Sequence, residues 1–480
     1  MSKVINNTIY YTTGSLIKAF TSFLLLPIFA NILGANQYGL LSLLQTFSSL
    51  LAILMTFGIE RSLYRLYYDY TKDDKNRFIS TVFWSINATS IIVIIFSIIC
   101  ATHLSSLLGG VDAFKVVLPV IIYTFMQAQI NYSQIILQIE QRGKTFLVIS
   151  LLMLVLYNVL SLLCLYCYSR TYQSMIYGNL IANTLALPFA YFFIRKRIRF
   201  TFDIGMLIST LRFSFPLMLM AIFAWLLNMS DRMFLASFSD LKNLGFYSMA
   251  SKIVSIMVLL EGAVFQAYGP YFFNIANTMQ IEIAKPKIKI ANDLITLSTG
   301  VIAILIVLFS KLLFHTILNP EYRNCLIYVY ILVIGSVFGQ QMGLLNPMLY
   351  QQKKTKIISI ITMVGAMCSV GLNFLLIPIL GPIMAAFSNM LSMFIMFGLT
   401  LLFARKAYYI KINILLLAGT IILIILCYFL DNSIPNYMIS FLSKLILISI
   451  VLIIFTRMRI FKSSEIEMVI KRLSKIIINK

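Results

Sequence analysis

Between Thr13 and Gly34 the chain carries one charge, Lys18, in a run that is otherwise uncharged and mostly apolar. Runs of this kind recur along the chain. Their approximate limits are 13–34, 39–60, 78–103, 113–138, 145–168, 173–194, 207–230, 245–273, 290–317, 322–350, 357–378, 382–404, 410–430 and 435–456. An α-helix needs about 20 mostly apolar residues to cross the hydrocarbon of a bilayer. Backbone in lipid must also satisfy its own hydrogen bonds. The pattern therefore predicts an all-α polytopic membrane protein of about fourteen transmembrane helices. Pro378, Gly381 and Pro382 separate the eleventh and twelfth runs, because they break a helix.

Composition agrees. The 480 residues are 60% hydrophobic and 11% charged, with a mean hydropathy of +0.92. A soluble domain carries about 25% charged residues, and a soluble fold of this composition could not bury its apolar surface. The first run is too long for the apolar region of a signal peptide and reads as a span. The six cysteines are scattered, mostly within apolar runs. Cys164 and Cys167 have metal-site spacing but no ligand partners nearby, so they read as small apolar side chains. The sequence points to no metal and no cofactor.

Lys and Arg choose the orientation of a polytopic chain. With the amino terminus inside, and charges near a span edge counted with the adjoining segment, 29 of the 38 Lys and Arg fall inside and five outside. Both termini are then cytoplasmic. The net charge of +22 reads as a topology signal facing anionic lipids, with no nucleic acid as partner. In the tail from Phe461, Ile466, Val469, Ile470, Leu473, Ile476 and Ile477 recur at helical spacing between basic residues. This predicts an amphipathic helix on the inner membrane surface.

The chain also repeats itself. Gln141-x-x-Lys144-Thr145 returns as Gln351-x-x-Lys354-Thr355, and Arg195-Lys196 returns as Arg405-Lys406, both 210 residues on. Tyr38-Gly39 is matched by Leu244-Gly245, and His103 by His315, at nearly the same offset. The expectation is two pseudo-symmetric six-helix lobes, 1–204 and 205–408, two extra helices in 409–456, and the tail 457–480. Six spans per half relate the halves by an axis along the membrane normal. That arrangement recurs in transporters whose substrate site lies between the halves.

Polar residues within the spans are the candidate site. Gln127, Asn131, Gln134 and Gln138 share one face of the fourth span. They serve either as interhelical glue or as a sugar-facing wall. Gln340, Gln341 and Asn346 occupy the partner tenth span. Lys18 and Lys252 lie well inside the first and eighth spans, and Lys311 and Lys444 close enough to span ends to snorkel. Glu261 is the acid deepest in a span, placed to titrate, to bind a cation or to make a structural bond. Arg61 and Arg65 mark the inner end of span two, and Asp231 and Arg232 the outer end of span seven, as anchors or as gating groups. His103 and His315 titrate near neutrality but sit at outer span ends. No phosphate-binding loop, large outer loop or carboxylate pair of catalytic spacing is present, and no residue is assigned a catalytic role.

The segments NILGANQYGLLSL (31–43), SFPLM (214–218), SDRMFL (230–235), LGFYSMASKI (244–253) and LIPILGPIMAAFSNMLS (376–392) carry a family resemblance. The chain resembles the polysaccharide-transport, O-antigen flippase branch of the multidrug/oligosaccharidyl-lipid/polysaccharide exporter superfamily, over most of its first 408 residues. That resemblance implies two six-helix lobes around a cationic cavity. It implies alternating access and passage of an undecaprenyl-diphosphate-linked oligosaccharide across the bacterial cytoplasmic membrane. The repeat unit would belong to O-antigen lipopolysaccharide, capsule or another surface polysaccharide. It places Lys18, Arg61 and Lys252 at the diphosphate by span; the span polarity read above puts Gln127, Asn131, Gln134 and Gln341 at the sugar, and Glu261, Asp231 and Arg232 in coupling or gating. Where relatives carry Arg, the Lys here lacks the bidentate fork. The implied partners are the lipid-linked oligosaccharide, a coupling ion (H+ or Na+), membrane lipids and the polysaccharide polymerase machinery. A lipid II flippase and an ion-coupled drug or metabolite antiporter of the same superfamily are the alternatives. A multispan polymerase or ligase would need an outer catalytic loop that this sequence lacks.

Overall fold

Gly34 breaks the longest helix of the molecule. The computed structural model describes residues 2–457 apart from 407, 409 and 411. Its helices are α1 (Ser2–Thr56), α2 (Ile59–Leu66), α3 (Lys72–Ile99), α4 (Ala101–Leu107), α5 (Leu118–Ile139), α6 (Gly143–Cys167), α7 (Tyr172–Ile194), α8 (Ile204–Phe238), α9 (Leu241–Thr278), α10 (Ile281–Thr316), α11 (Leu326–Gln351), α12 (Thr355–Leu380), α13 (Met384–Arg405), α14 (Ile414–Ser433) and α15 (Tyr437–Arg457). At 1.5 Å per residue α1 would run to about 80 Å, more than twice the hydrocarbon of a bilayer. Gly34, at φ 69° and ψ 169°, takes a conformation that side-chain-bearing residues avoid and divides it into two arms.

Twelve helices among the described residues are long and apolar enough to cross a membrane, where the sequence pattern predicts fourteen. The difference has two sources. The first two runs lie on the arms of α1, so Tyr10–Thr56 counts once. The last run falls on α15, where the described apolar stretch is the shorter Tyr437–Val451. Each of the other eleven runs has its own helix. The amphipathic tail expected from Phe461 lies outside the described residues.

The chain divides into two compact units, Met1–Met249 with Thr362–Ser392, and Ala250–Ile361 with Met393–Lys480. In the first unit α6 and α7 meet so closely that a Cβ on Gly178 would fall 2.6 Å from the Cα of Ser161. Small residues permit such approach where lipid supplies no hydrophobic drive. Ile59, Leu63, Phe78, Ile79, Tyr132 and Ile136 form a buried core joining α2, α3 and α5, and the Tyr132 hydroxyl donates to the Ile79 carbonyl at 2.6 Å.

Both copies of the Gln-x-x-Lys-Thr segment end a helix in the same way. Gln141 has φ 55° and Lys353 has φ 56°. The next amide reaches back five residues in each case, Arg142 to Leu137 at 2.8 Å and Lys354 to Leu349 at 3.0 Å. This is the Schellman closure of a helix end, with a non-glycine residue at its left-handed position. The equivalent residues are 212 apart, so the structural register of the repeat differs by two from the side-chain register read at 210. Hydrogen bonding at a helix end decides where the chain turns, and side-chain identity tolerates a slip.

In the second unit a buried charge cluster holds α14 and α15 to α10 and α11. The Lys444 ammonium lies 3.1 Å from the Asp431 carboxylate and 3.1 Å from the Val307 carbonyl. Lys311 donates to the carbonyls of Asp431 and Ile434, each at 2.6 Å. The hydroxyls of Tyr330 and Ser440 also donate to the Asp431 carboxylate. Lys311 and Lys444 are 5% and 0% exposed. The expectation that they snorkel is therefore overturned, because a carboxylate and four carbonyls meet their protons inside the bundle. Asp231, Glu261 and Asp431 are all buried.

Candidate functional site

A cavity of about 460 Å³ opens within the first unit. Ligand sites commonly span roughly 300–1,000 Å³. Its lining draws on four helices. Kinked α1 supplies Lys18 and Ser22 from one arm and Gln45 from the other. α5 supplies Gln127, Asn131 and Gln134, α6 supplies Ser150, Tyr157 and Asn158, and α7 supplies Asn179. The structure thus brings Lys18 to the amide stripe of the fourth span. Gln127 donates to Asn131 at 3.1 Å, and Gln134 to Ser150 at 3.4 Å, which leaves further amide groups turned to the opening. Gln138 does not line the cavity and accepts from the Tyr64 hydroxyl at 2.5 Å. No carboxylate is among the described residues that line it. One ammonium amid amides and hydroxyls suits an anionic or richly hydroxylated ligand.

Gln45, Ser150, Asn158 and Asn179 escaped the sequence reading. Ser150 and Asn158 are isolated polar residues in an apolar run, whereas Gln45 adjoins Thr46 and Asn179 lies one turn before Asn183. The argument that singled out the stripe, that lone amides are costly against lipid, applies to Asn158 and Asn179 as well.

Arg61 stands exposed on α2 and does not line this cavity. Its neighbour Glu60 lies outside the spans. Burial pushes the Glu60 carboxyl above the usual carboxylate range, while the Thr56 hydroxyl and the Arg61 charge pull the other way. Arg65 pairs with Asp69 at 2.5 Å on the surface. Asp231 on α8 is buried. It accepts from the Tyr247 hydroxyl on α9 and from the Arg232 amide at 2.8 Å. The Arg232 guanidinium reaches the same carboxylate at 3.4 Å and the Asn228 carbonyl at 2.9 Å. These groups form a closed clasp at the α8–α9 corner.

The remaining candidates belong to the second unit. Lys252 is exposed on α9. Gln341 is fully buried on α11 and accepts from the Thr296 hydroxyl at 3.2 Å. Glu261 on α9 is 1% exposed, and neither of its oxygens has a hydrogen-bond partner among the described residues. The Thr299 hydroxyl of α10 acts on its carboxyl, with no hydrogen bond between them.

The family described as "Polysaccharide biosynthesis protein" matches residues 28–280. The chain is 27% identical over 277 residues to protein 1 of the Lsg locus of Haemophilus influenzae. The match covers 56% of this chain and spans 66% of that relative's length, just under two thirds. Among solved structures it is similar to the lipid II flippase MurJ in an inward closed conformation, with TM-score 0.72, 15% identity, and coverage of 95% of this chain and 100% of that one. It is also similar to an inward-facing multidrug resistance MATE family transporter of the MOP superfamily, with TM-score 0.60, 16% identity, and coverage of 83% and 94%. At such identities the likeness shows the fold alone.

Proposed function

Because the chain belongs to the polysaccharide biosynthesis protein family, we propose that it flips undecaprenyl-diphosphate-linked oligosaccharide repeat units from the inner to the outer leaflet of the bacterial cytoplasmic membrane. The chain is an all-α multi-pass membrane protein with the fold of MOP-superfamily transporters. The observation that carries the substrate reading is the cavity of the first unit. A 460 Å³ space faced by one lysine, amides and hydroxyls offers hydrogen bonds to sugar hydroxyls and a counter-charge to phosphate, and no like charge to repel it. In this reading Lys18 meets the anionic end and Gln127, Asn131 and Gln134 meet the sugar. Arg61 and Lys252 extend the basic path, Gln341 belongs to the polar lining of the second half, and the Asp231–Arg232 clasp steadies the α8–α9 corner during gating. The arms of α1 and helix α15 complete fourteen crossings with both termini cytoplasmic. The repeated segments mark two six-helix lobes at 1–204 and 205–408.

The test is the leaflet distribution of the lipid-linked oligosaccharide in cells lacking the protein, then carrying wild type, Lys18→Ala or Asn131→Ala. Inner-leaflet accumulation relieved by wild type alone supports the flippase. Accumulation of lipid II instead would assign the chain the activity named for MurJ. An unchanged lipid distribution would favour a drug or metabolite antiporter.

A further inference from the structure

The link between α7 and α8, residues 195–203, is pinned to the side of α3. Ile198 packs against the core of α2, α3 and α5. The Arg199 amide donates to the Ser80 hydroxyl at 2.8 Å, and the Trp84 indole donates to the Arg199 carbonyl at 3.0 Å. The Asp203 amide donates to the Thr81 hydroxyl at 3.1 Å, and the Asp203 carboxylate pairs with Arg77 at 3.0 Å. Arg197 is committed to Glu140 at 2.7 Å. Side chains of α3 thus satisfy backbone groups of the link, as a segment beside hydrocarbon requires.

Pinned in this way, the link presents an aromatic tip. Phe200 is 95% exposed and stacks on the Trp84 ring, with centroids 5.3 Å apart and planes at 29°. Phe202 is exposed as well. Trp84 lies six residues past Phe78, where the apolar run of α3 begins, or about 9 Å along the axis. The link therefore dips beside the span and carries Phe200 to the edge of the hydrocarbon, where aromatic rings concentrate.

Charge surrounds this tip. The nine residues of the link include four basic ones and a single acid. Arg195 lies over the Phe192 ring at 4.5 Å. The side chains of Lys196 and Arg199 enter no ion pair among the described residues, and both residues are exposed. Headgroups extend about 5–7 Å beyond the hydrocarbon on each side, a distance that a snorkelling Lys or Arg covers. The surface is apolar at the depth of acyl chains and cationic at the depth of phosphates.

We propose that Arg199, Lys196, Phe200 and Trp84 bind one anionic glycerophospholipid of the leaflet at the amino end of α3. The Arg199 guanidinium takes the phosphate through its two-pronged fork, Lys196 adds a second positive charge, and the two rings lie along the first carbons of an acyl chain. A zwitterionic headgroup brings its own ammonium to a basic cluster and is disfavoured. The orientation proposed above makes this the inner leaflet. The binding itself depends neither on that orientation nor on the flippase reading.

The protein has two tryptophans, so Trp225→Phe leaves Trp84 as a fluorescent reporter at the site. The full-length variant is placed in phosphatidylcholine nanodiscs holding an equal mole fraction of dibrominated phosphatidylglycerol or dibrominated phosphatidylcholine, and quenching of Trp84 is read. The expected result is more than fivefold preference for the brominated phosphatidylglycerol. Arg199→Gln should lower that preference about fivefold, the effect of one basic group at a membrane surface. Lys144→Gln, which removes the same charge from the exposed start of α6, should leave it unchanged. Equal quenching by the two lipids would overturn the proposal, and so would equal losses in the two charge variants, which would mean a diffuse basic surface. No quenching by either lipid would also overturn it and would leave the aromatic tip to a protein partner. If Trp225→Phe does not fold, the wild type serves, because Trp225 is buried and bonded to Ser49 at 2.8 Å and adds a constant background.

Discussion

Gly39 and Gly245 meet reciprocally across α1 and α9. A Cβ on Gly39 would fall 2.1 Å from the carbonyl oxygen of Leu241, and a Cβ on Gly245 would fall 1.9 Å from that of Ala35. Each glycine thus faces the carbonyl four residues before the other. This reciprocity is that of a local two-fold axis, between two positions 206 apart in the chain. Either glycine changed to alanine forces backbone against backbone, at a cost of about 1–3 kcal/mol. Thermal midpoints in detergent should show both single variants destabilised. The double variant should cost less than the sum, because one separation of the helices accommodates both methyls. Strict additivity would mean the two contacts are independent.

The Asp431 cluster is predicted to be asymmetric. Asp431→Asn strands two buried ammonium groups, and breaking a buried pair costs about 3–5 kcal/mol. Lys444→Met removes one of two lysines and leaves Lys311 near the same carboxylate, 3.9 Å away. It should be the milder change. Adding Lys444→Met to Asp431→Asn should recover part of the loss. Unfolding curves of the three variants check this, and equal destabilisation by the two single changes would contradict it.

The two helix-end hinges should accept glycine. Gln141 and Lys353 hold a left-handed backbone that costs a side-chain-bearing residue roughly 1 kcal/mol or more. The bond from the Asn7 amide to Gln141, at 2.8 Å, goes to a backbone carbonyl and survives the change. Gln141→Gly and Lys353→Gly should therefore leave the thermal midpoint level or raise it. Gly143→Ala should lower it, since its Cβ would fall 2.7 Å from the Asn7 Oδ1.

Cavity substitutions should rank by charge. A hydrogen bond to a charged group contributes about 1.5–3 kcal/mol and a neutral one about 0.5–1.5. Lys18→Ala should therefore weaken binding of the lipid-linked oligosaccharide more than tenfold, and Asn131→Ala or Asn179→Ala by roughly threefold to tenfold. Titration of the nanodisc-bound protein with purified lipid-linked oligosaccharide reads this directly. A Lys18→Ala loss no larger than that of Asn179→Ala would remove the lysine from the anion's path.

Membrane helices were legible because hydropathy is a property of consecutive residues, and lipid permits little else from a long apolar run. Eleven of the runs have a helix to themselves, and the first two meet at Gly34, a residue whose backbone freedom is visible in the sequence. The amide stripe on α5 was legible for a similar reason: helical period places Gln127, Asn131 and Gln134 on one face. Asn158 is the one amide of α6, and Asn179 has a single partner one turn on, Asn183, a face too short to read as a stripe.

The sequence by itself determined where the chain is helical, that its segments recur, and which polar residues are costly in lipid. These follow from local composition and period. Only the tertiary structure decided which of those residues meet. Period names a helix face without naming the helix opposite. Lys311 and Lys444 read as snorkelling from their depth along the chain, and become a buried cluster only because α14 brings Asp431 between them. Lys18 gains its amide neighbours from α5, α6 and α7 in the same way, whereas Glu261 meets no counter-charge among the described residues.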